Sequence, residues 1–207
     1  MNVLEGYRFW KWFCNNHRDY LQLLQLNEEE REALLEALQE QLVKYCPGLE
    51  IEFRQMDAED KIMIITANGY EQYFAAAEDL VLMAPKLKEW DIMALRPAEW
   101  DFPIRFEYKG IEVCSDELWF SIFDNASEPH KLGIVVYFKH YDAENEDAYF
   151  KAAGRMLNII LGEKSSSLDV PYLWVDALPE KVNTATTMEL EDLPSYIEFW
   201  REQVMLN

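Results

Sequence analysis

The sequence predicts an α+β protein whose chain opens and closes with helices and carries two strand-rich units between them. Apolar residues recur with helical spacing near both ends of the chain. The middle instead alternates short apolar runs with turn residues, twice in the order strand, strand, helix, strand. Of the 207 residues, 50% are hydrophobic and 14% aromatic, which excludes a disordered or low-complexity chain because such a composition can build a core.

Residues 1–48 are predicted to form a helical hairpin. Between residues 4 and 25, the apolar positions span an arc about 180° wide, so this helix should pack against two neighbours. Asn27, with Glu30 three residues later, is typical of the N-cap of a second helix, and Pro47-Gly48 should end it near residue 46. The predicted arc contains Phe9, Trp10, Trp12, Phe13, Tyr20, Leu21, Leu23 and Leu24.

Two ββαβ units are predicted next, followed by a C-terminal helix. The first unit, 49–97, has strands at 49–55, 61–67 and 90–95 and a helix at 70–84. The second unit, 111–179, has strands at 117–123, 133–138 and 172–178, a helix at 142–161 and a polar loop at 163–169. The helix at 189–205 has one packed face, which comprises Leu193, Ile197, Trp200 and Val204, and Asp192 as its expected N-cap.

Similar phrases in the two units raise the question of an internal duplication. The sequence YFAAA at 73–77 is matched by YFKAA at 149–153, and ALRP at 94–97 by ALP at 177–179. The matches are short, so a duplication and a chance similarity both stay open. We expect mixed sheet within a single domain, 1–207, with either one sheet or two.

Charge and cysteine content restrict the partner and the compartment. The chain has 39 acidic and 19 basic residues and a formal charge of −20, which disfavours nucleic acid and anionic membranes as partners. A basic protein is the partner class that the charge favours, although solubility alone also explains it. With no secretory signal expected and three widely spaced cysteines, Cys14, Cys46 and Cys114, we expect free thiols and a cytoplasmic location.

No motif for catalysis, cofactor binding or metal binding is found. The chain lacks a nucleophile elbow, a zinc-protease helix and a glycine-rich phosphate loop. The acid-rich segment 142–147 lacks the glycine and the final glutamate of a calcium loop. His17, His130 and His140 have no ligand spacing that separates them from background, because carboxylates are so frequent in this chain. We therefore expect no catalytic residue, no cofactor and no metal.

Two groups of residues are candidates for binding. Trp100 and Asp101 belong to the second of two Glu-Trp-Asp phrases that stand ten residues apart. With Phe102 they lie in a predicted loop, where an aromatic anchor beside acids suits a protein partner; a packed corner is the alternative. Trp10, Trp12, Asn16 and His17 share the aromatic helix, where the tryptophans could wall a pocket and the polar pair could face a ligand. Hydrogen-bonded core residues are the alternative for that pair.

The first hundred residues resemble an uncharacterised family of bacterial proteins. The resemblance rests on FWKWF at 9–13, the strand that carries Glu52, ITANG at 65–69, and a segment from Phe74 to the ALRP phrase at 94–97. It implies a bacterial cytosolic origin and no activity. A fainter likeness in charge and strand–helix content is to small acidic ferredoxin-like regulators that inhibit ribonucleases.

The sequence as a whole favours a non-enzymatic, acidic protein-interaction module of the inhibitor, immunity or regulatory type, with a basic protein as its partner. The alternative is a small-molecule binder or enzyme whose pocket lies between the N-terminal aromatic helix and the sheet. Self-association through that helix is a third possibility, and the oligomeric state stays open.

Overall fold

The computed structural model describes residues 2–55, 61–123, 128 and 131–205. The chain divides into two compact units, Met1–Arg96 and Pro97–Asn207. Both units combine helices with strands, so the predicted α+β class is confirmed. The single domain stays a prediction. Within the described ranges, no helix is both long and apolar enough to cross a bilayer.

The described residues of the first unit include the α-helices α1 (Val3–Tyr20), α2 (Glu28–Tyr45) and α3 (Phe74–Leu82). The predicted helical hairpin of α1 and α2 is confirmed. Asn27 caps α2 as predicted, because its Oδ1 accepts the backbone N–H of Glu30 at 2.9 Å. α1 ends earlier than predicted, and a short 3-10 turn at Leu23–Gln25 follows it.

The sheet of the first unit has three strands, β1 (Glu50–Gln55), β2 (Lys61–Thr66) and β3 (Trp90–Ala94). β2 lies in the centre, antiparallel to β1 and parallel to β3. α3 connects β2 to β3, so the predicted ββαβ order is present. The predicted helix at 70–84 begins instead as a 3-10 turn at Glu71–Tyr73.

Aromatic rings from α1 pack against this sheet. Phe13 contacts Trp90 of β3 edge to face, with ring centroids 5.6 Å apart. Tyr20 stacks on Phe53 of β1 at 5.7 Å. Phe9, Phe13 and Tyr20 are all buried, which accounts for the wide apolar arc of the N-terminal helix. The described part of the chain does not include the side chains of Leu24 and Val204.

In the second unit, the described residues form six strands and two α-helices. The strands are β4 (Arg105–Tyr108), β5 (Ile111–Cys114), β6 (Trp119–Phe123), β7 (Gly133–Phe138), β8 (Tyr172–Ala177) and β9 (Thr187–Glu189). The helices are α4 (Glu146–Leu168) and α5 (Leu193–Met205). β4 and β5 form a separate hairpin, and the other four strands form a sheet in the order β8-β7-β6-β9.

The second unit has the same core topology as the first. β6 is antiparallel to β7, β7 is parallel to β8, and α4 connects β7 to β8. β9 extends the sheet beside β6 and was not predicted, because it lies in what reads as a polar loop. The predicted strand at 117–123 begins two residues later, after a 3-10 turn at Ser115–Glu117.

The prediction of a polar loop at 163–169 is wrong, because α4 continues to Leu168 after a break at Gly162. Gly162 has φ 73° and ψ 164°, a backbone conformation that is accessible essentially only to glycine. After the break the chain returns to a helix whose Glu163 and Ser166 are buried. The Ser166 hydroxyl donates to Asn158 Oδ1 at 3.1 Å, which joins the two parts of the helix.

Candidate functional site

Two of the predicted pocket residues, Trp10 and Asn16, donate hydrogen bonds to backbone oxygens within the first unit. Trp10 is 4% exposed, and its indole N–H donates to the backbone oxygen of Leu80 in α3 at 2.7 Å. The amide nitrogen of Asn16 donates to the backbone oxygen of Trp12, one helical turn earlier, at 2.7 Å. Trp12 is partly buried and contacts Tyr20 edge to face at 6.4 Å. These bonds tie the side chains of Trp10 and Asn16 to backbone.

The side chain of His17 is held by Trp90 of β3. Its Nδ1 accepts the indole N–H of Trp90 at 3.3 Å, and its ring packs on Phe13 at 6.3 Å. A cavity of about 70 Å³ lies nearby, with Tyr20, Phe53 and Trp90 among its lining residues. Ligand sites in proteins usually enclose about 300–1,000 Å³, so this cavity has room for water rather than for a metabolite.

A polar cluster in the first unit joins Glu52 and Asn68 to two arginines. Arg96 Nε donates to Glu52 Oε2 at 2.6 Å, and its Nη2 donates to Asn68 Oδ1 at 2.9 Å. Arg54 Nε donates to the other Glu52 oxygen at 2.6 Å. Burial alone would raise the pKa of Glu52, but the hydrogen bonds and charges of Arg96 and Arg54 lower it below its usual value. This cluster fastens β1 to the end of β3.

The predicted partner-binding loop contacts the break in α4. The indole N–H of Trp100 donates to the backbone oxygen of Ile160 at 3.2 Å, and the Glu99 N–H donates to that of Ile159 at 2.8 Å. In an unbroken helix these oxygens would accept N–H groups four residues later, so the loop supplies donors that the break at Gly162 removes. The Trp100 ring is nevertheless 64% exposed.

The other two loop residues differ in exposure. Asp101 is exposed, whereas Phe102 is partly buried and packs against the core of the second unit. The loop therefore has an anchored aromatic ring at Phe102 and an exposed one at Trp100. Its role in partner binding stays a prediction.

An aromatic surface lies on one face of the four-stranded sheet. The core of the second unit takes its residues from the opposite face of that sheet, and they pack against α4 and α5. Register places the remaining strand residues side by side on the outer face. We call this outer surface the aromatic face; it comprises Trp119, Ser121, Phe123, Gly133, Val135, Tyr137, Tyr172, Trp174, Asp176, Thr187 and Glu189.

The register arranges the aromatic face in rows that cross the strands. The first row runs from Glu189 on β9 through Trp119 and Tyr137 to Asp176 on β8. Since neighbouring strands lie about 4.8 Å apart, the backbones of Glu189 and Asp176 lie about 14 Å apart, with the two aromatic residues between them. Glu189 and Asp176 are exposed, and the two rings are partly exposed. A ligand over this row meets rings in the middle and a negative charge at each end.

The third row of the aromatic face comprises Phe123, Gly133 and Tyr172. A Cβ atom at Gly133 would lie 2.2 Å from the ring of Phe123, so the Phe123 ring occupies the space over β7 that glycine leaves open. The same ring meets Trp174 of β8 edge to face at 4.7 Å. Trp174 is 52% exposed, so the pair presents a supported indole to solvent.

Two neighbouring cavities lie beside the β4–β5 hairpin of the second unit. Their volumes are about 380 and 460 Å³, and Glu112, Cys114 and Glu117 line both. The Cys114 thiol donates to Asp116 Oδ1 at 2.6 Å. Burial, followed by this hydrogen bond, raises the pKa of Cys114, so the thiol is protonated at neutral pH and is a poor nucleophile.

In the part of the chain that the structure describes, no three His, Cys, Asp or Glu side chains converge as a metal site. His130 lies outside the described residues. In comparisons with known proteins, no family model, no curated protein and no solved structure matches this chain.

Proposed function

We propose that this protein is an acidic interaction module that binds a basic protein partner through the aromatic face. The observation that carries the proposal is the row Glu189–Trp119–Tyr137–Asp176, in which exposed carboxylates flank two rings. An arginine or lysine side chain laid across this row would contact ring faces and reach a carboxylate. Tryptophan, tyrosine and arginine are the residue types most often found at binding hot spots.

Energetics support a cationic ligand for this row. A cation over an aromatic ring gains about 0.5–1 kcal/mol at an exposed site and about 2 kcal/mol when water is excluded. The net charge of −20 would also accelerate the encounter with a basic partner and repel acidic ones. Rings supply the contact area and carboxylates select the sign of the partner's charge.

The proposal includes an internal duplication of the chain and a regulatory role. The shared ββαβ topology supports an internal duplication of a ferredoxin-like unit, in which the second copy gained β9 and the β4–β5 hairpin. A bacterial, cytoplasmic inhibitor, immunity protein or regulator would suit an acidic binding surface and a sequence without catalytic motifs.

A charge-reversal experiment tests the proposal. The double variant Asp176→Lys/Glu189→Lys removes both carboxylates of the row, and Glu144→Lys/Glu198→Lys makes the same change in net charge at exposed positions of the unit outside the aromatic face. Partner is captured from lysate of the source organism, and its affinity for each variant is measured. We expect a loss of about tenfold or more only for the first variant. Equal affinity for both variants would reject the aromatic face.

Small-molecule binding is the second candidate function, and the two cavities beside the β4–β5 hairpin favour it. They have the size of ligand sites, unlike the small cavity beside the N-terminal aromatic helix, where the sequence placed the pocket. A thermal-shift screen tests this candidate, since a ligand at 100 times its Kd adds about 2.7 kcal/mol of stability. A hit whose shift survives a bulky substitution at Glu112 would contradict the assignment to these cavities.

A further inference from the structure

We infer that the groove between α2 and β1 binds an extended basic peptide segment, which adds to the sheet of the first unit as a strand beside β1. This inference is independent of the aromatic face, because it concerns the other unit and a different type of contact. It specifies a partner segment of alternating apolar and basic residues, bound through its backbone as well as its side chains.

The sheet order leaves β1 with an open edge. β1 pairs with β2 on one side, and no other described strand pairs with it. In an antiparallel strand, the N–H and C=O groups of every second residue point away from the paired neighbour. Such an edge offers hydrogen bonds to an added strand.

An apolar groove runs beside this edge. It has a volume of about 340 Å³ and is lined by Leu35, Leu38 and Gln39 of α2 and by Ile51 of β1. Leu38 is buried, whereas Leu35 is 37% exposed and Ile51 is partly exposed. The Gln39 side chain donates to the backbone oxygen of Leu49 at 2.8 Å, which fixes α2 against the chain as it enters β1.

Charge identifies the occupant of the groove. Glu36 and Glu50 also line it, and neither forms an ion pair with any residue that the structure describes. α2 carries six glutamates against one arginine and one lysine. A second copy of the chain would bring the same glutamates to the same edge, and like charges placed opposite one another are destabilising. A basic segment is attracted instead.

Strand geometry sets the pattern of the segment. Successive side chains of an added strand point to opposite faces of the sheet. Apolar side chains of the peptide that point to the α2 side would contact Leu35 and Ile51. Basic side chains that point to the opposite face of the sheet would lie within reach of Glu50. Glu52 is already engaged by Arg54 and Arg96, so Glu50 is the groove carboxylate that the basic side chains reach on that face. Glu36 adds negative charge to the groove on the α2 side.

Three capped octapeptides test the inference on the full chain by isothermal titration. One alternates valine and lysine, and the other two carry N-methyl groups on either all the valines or all the lysines. An added strand uses the N–H groups of only one set, so we expect one N-methylated peptide to lose about tenfold or more in affinity and the other to bind nearly as the parent. Equal affinity of both N-methylated peptides would overturn strand addition.

Matched variants locate the site. Leu35→Gln should weaken binding, whereas Val43→Gln, at a position of α2 with 45% exposure that does not line the groove, should leave it unchanged. Glu36→Gln/Glu50→Gln should weaken peptide binding more than Glu28→Gln/Glu29→Gln.

If Asp176→Lys/Glu189→Lys abolishes peptide binding and the groove variants do not, the inference is wrong and the proposed function stands. Light scattering that shows dimers lost in Leu35→Gln would also overturn it.

Discussion

Substitution of Gly133 by alanine tests how the aromatic face is built. The added methyl group would lie 2.2 Å from the Phe123 ring, well inside van der Waals contact, so the ring must swing away from β7. Its edge-to-face contact with Trp174, at 4.7 Å, would be lost with it. The strand backbone itself would accept alanine, because Gly133 does not have a positive φ.

The expected change in stability combines opposing terms. Displacing a packed group by one methyl costs about 1–3 kcal/mol, and an aromatic pair contributes about 0.5–1.5 kcal/mol. Alanine in place of glycine within a strand returns about 0.5–1 kcal/mol. Gly133→Ala should therefore destabilise the protein by about 2 kcal/mol, within limits of about 0.5 and 4 kcal/mol. In a Phe123→Ala background the ring is absent, and the same substitution should stabilise by about 0.5–1 kcal/mol.

Urea unfolding of the four proteins in this double-mutant cycle measures the coupling. Opposite signs of the Gly133→Ala effect in the two backgrounds would show that the glycine exists to hold the Phe123 ring. The same loss of stability in both backgrounds would refute the reasoning, since the clash would then lie elsewhere. Val135→Ala on the same strand serves as a control, because its cost should not change in sign with Phe123.

Three further predictions concern single side chains. Glu52→Gln should lower the free energy of unfolding by about 1–2 kcal/mol at pH 7, as measured by urea unfolding. Because the pKa of Glu52 is lowered in the folded state, the ionised carboxylate stabilises the fold above about pH 4.5. The cost of the substitution should therefore shrink as pH falls below that value. Cys114 should react with iodoacetamide more slowly than the two other cysteines, because burial and the Asp116 hydrogen bond raise its pKa. Asp116→Asn should accelerate the reaction, as followed by mass spectrometry, and equal rates with and without the substitution would contradict the contribution of Asp116 to the raised pKa. Trp100→Phe removes the hydrogen bond to the backbone oxygen of Ile160 at the break in α4. The free energy of unfolding should fall by about 0.5–1 kcal/mol in the same assay, a small loss because water can hydrate the freed oxygen. An unchanged free energy of unfolding would mean that the bond does not support the helix.

Local signals in the sequence predict most of the elements. The Asn27 N-cap and the Pro47-Gly48 stop act within a few residues, and α2 lies where they place it. The break at Gly162 was missed because a serine-rich stretch after a glycine is typical of a loop. What keeps that stretch helical is long-range, namely its burial and the donors that Glu99 and Trp100 bring to Ile159 and Ile160.

The β4–β5 hairpin was missed for a different reason. Its strands are four residues each, too short for a clear period, and Lys109-Gly110 is the turn between them. Both turn residues have positive φ, 51° and 81°, as hairpin turns of two residues require. A Lys-Gly pair flanked by RFEY and IEVC is therefore a usable hairpin signal, and it would have placed Cys114 at a strand end.

The candidate site shows the limit of reading one strand at a time. The apolar run at 133–138 predicts a strand but does not distinguish its two faces, and in the structure Val135 and Tyr137 are partly exposed on the aromatic face. Apolar residues occupy both faces of β6 and β7, with Phe120 and Phe138 in the core and Trp119 and Tyr137 on the other face, so the alternation is hidden in the sequence. The row that brings Glu189 beside Trp119 depends on β9, whose three residues pair with β6 across more than sixty positions of sequence. Binding chemistry that is assembled by strand register thus becomes visible only when the pairing of the strands is known.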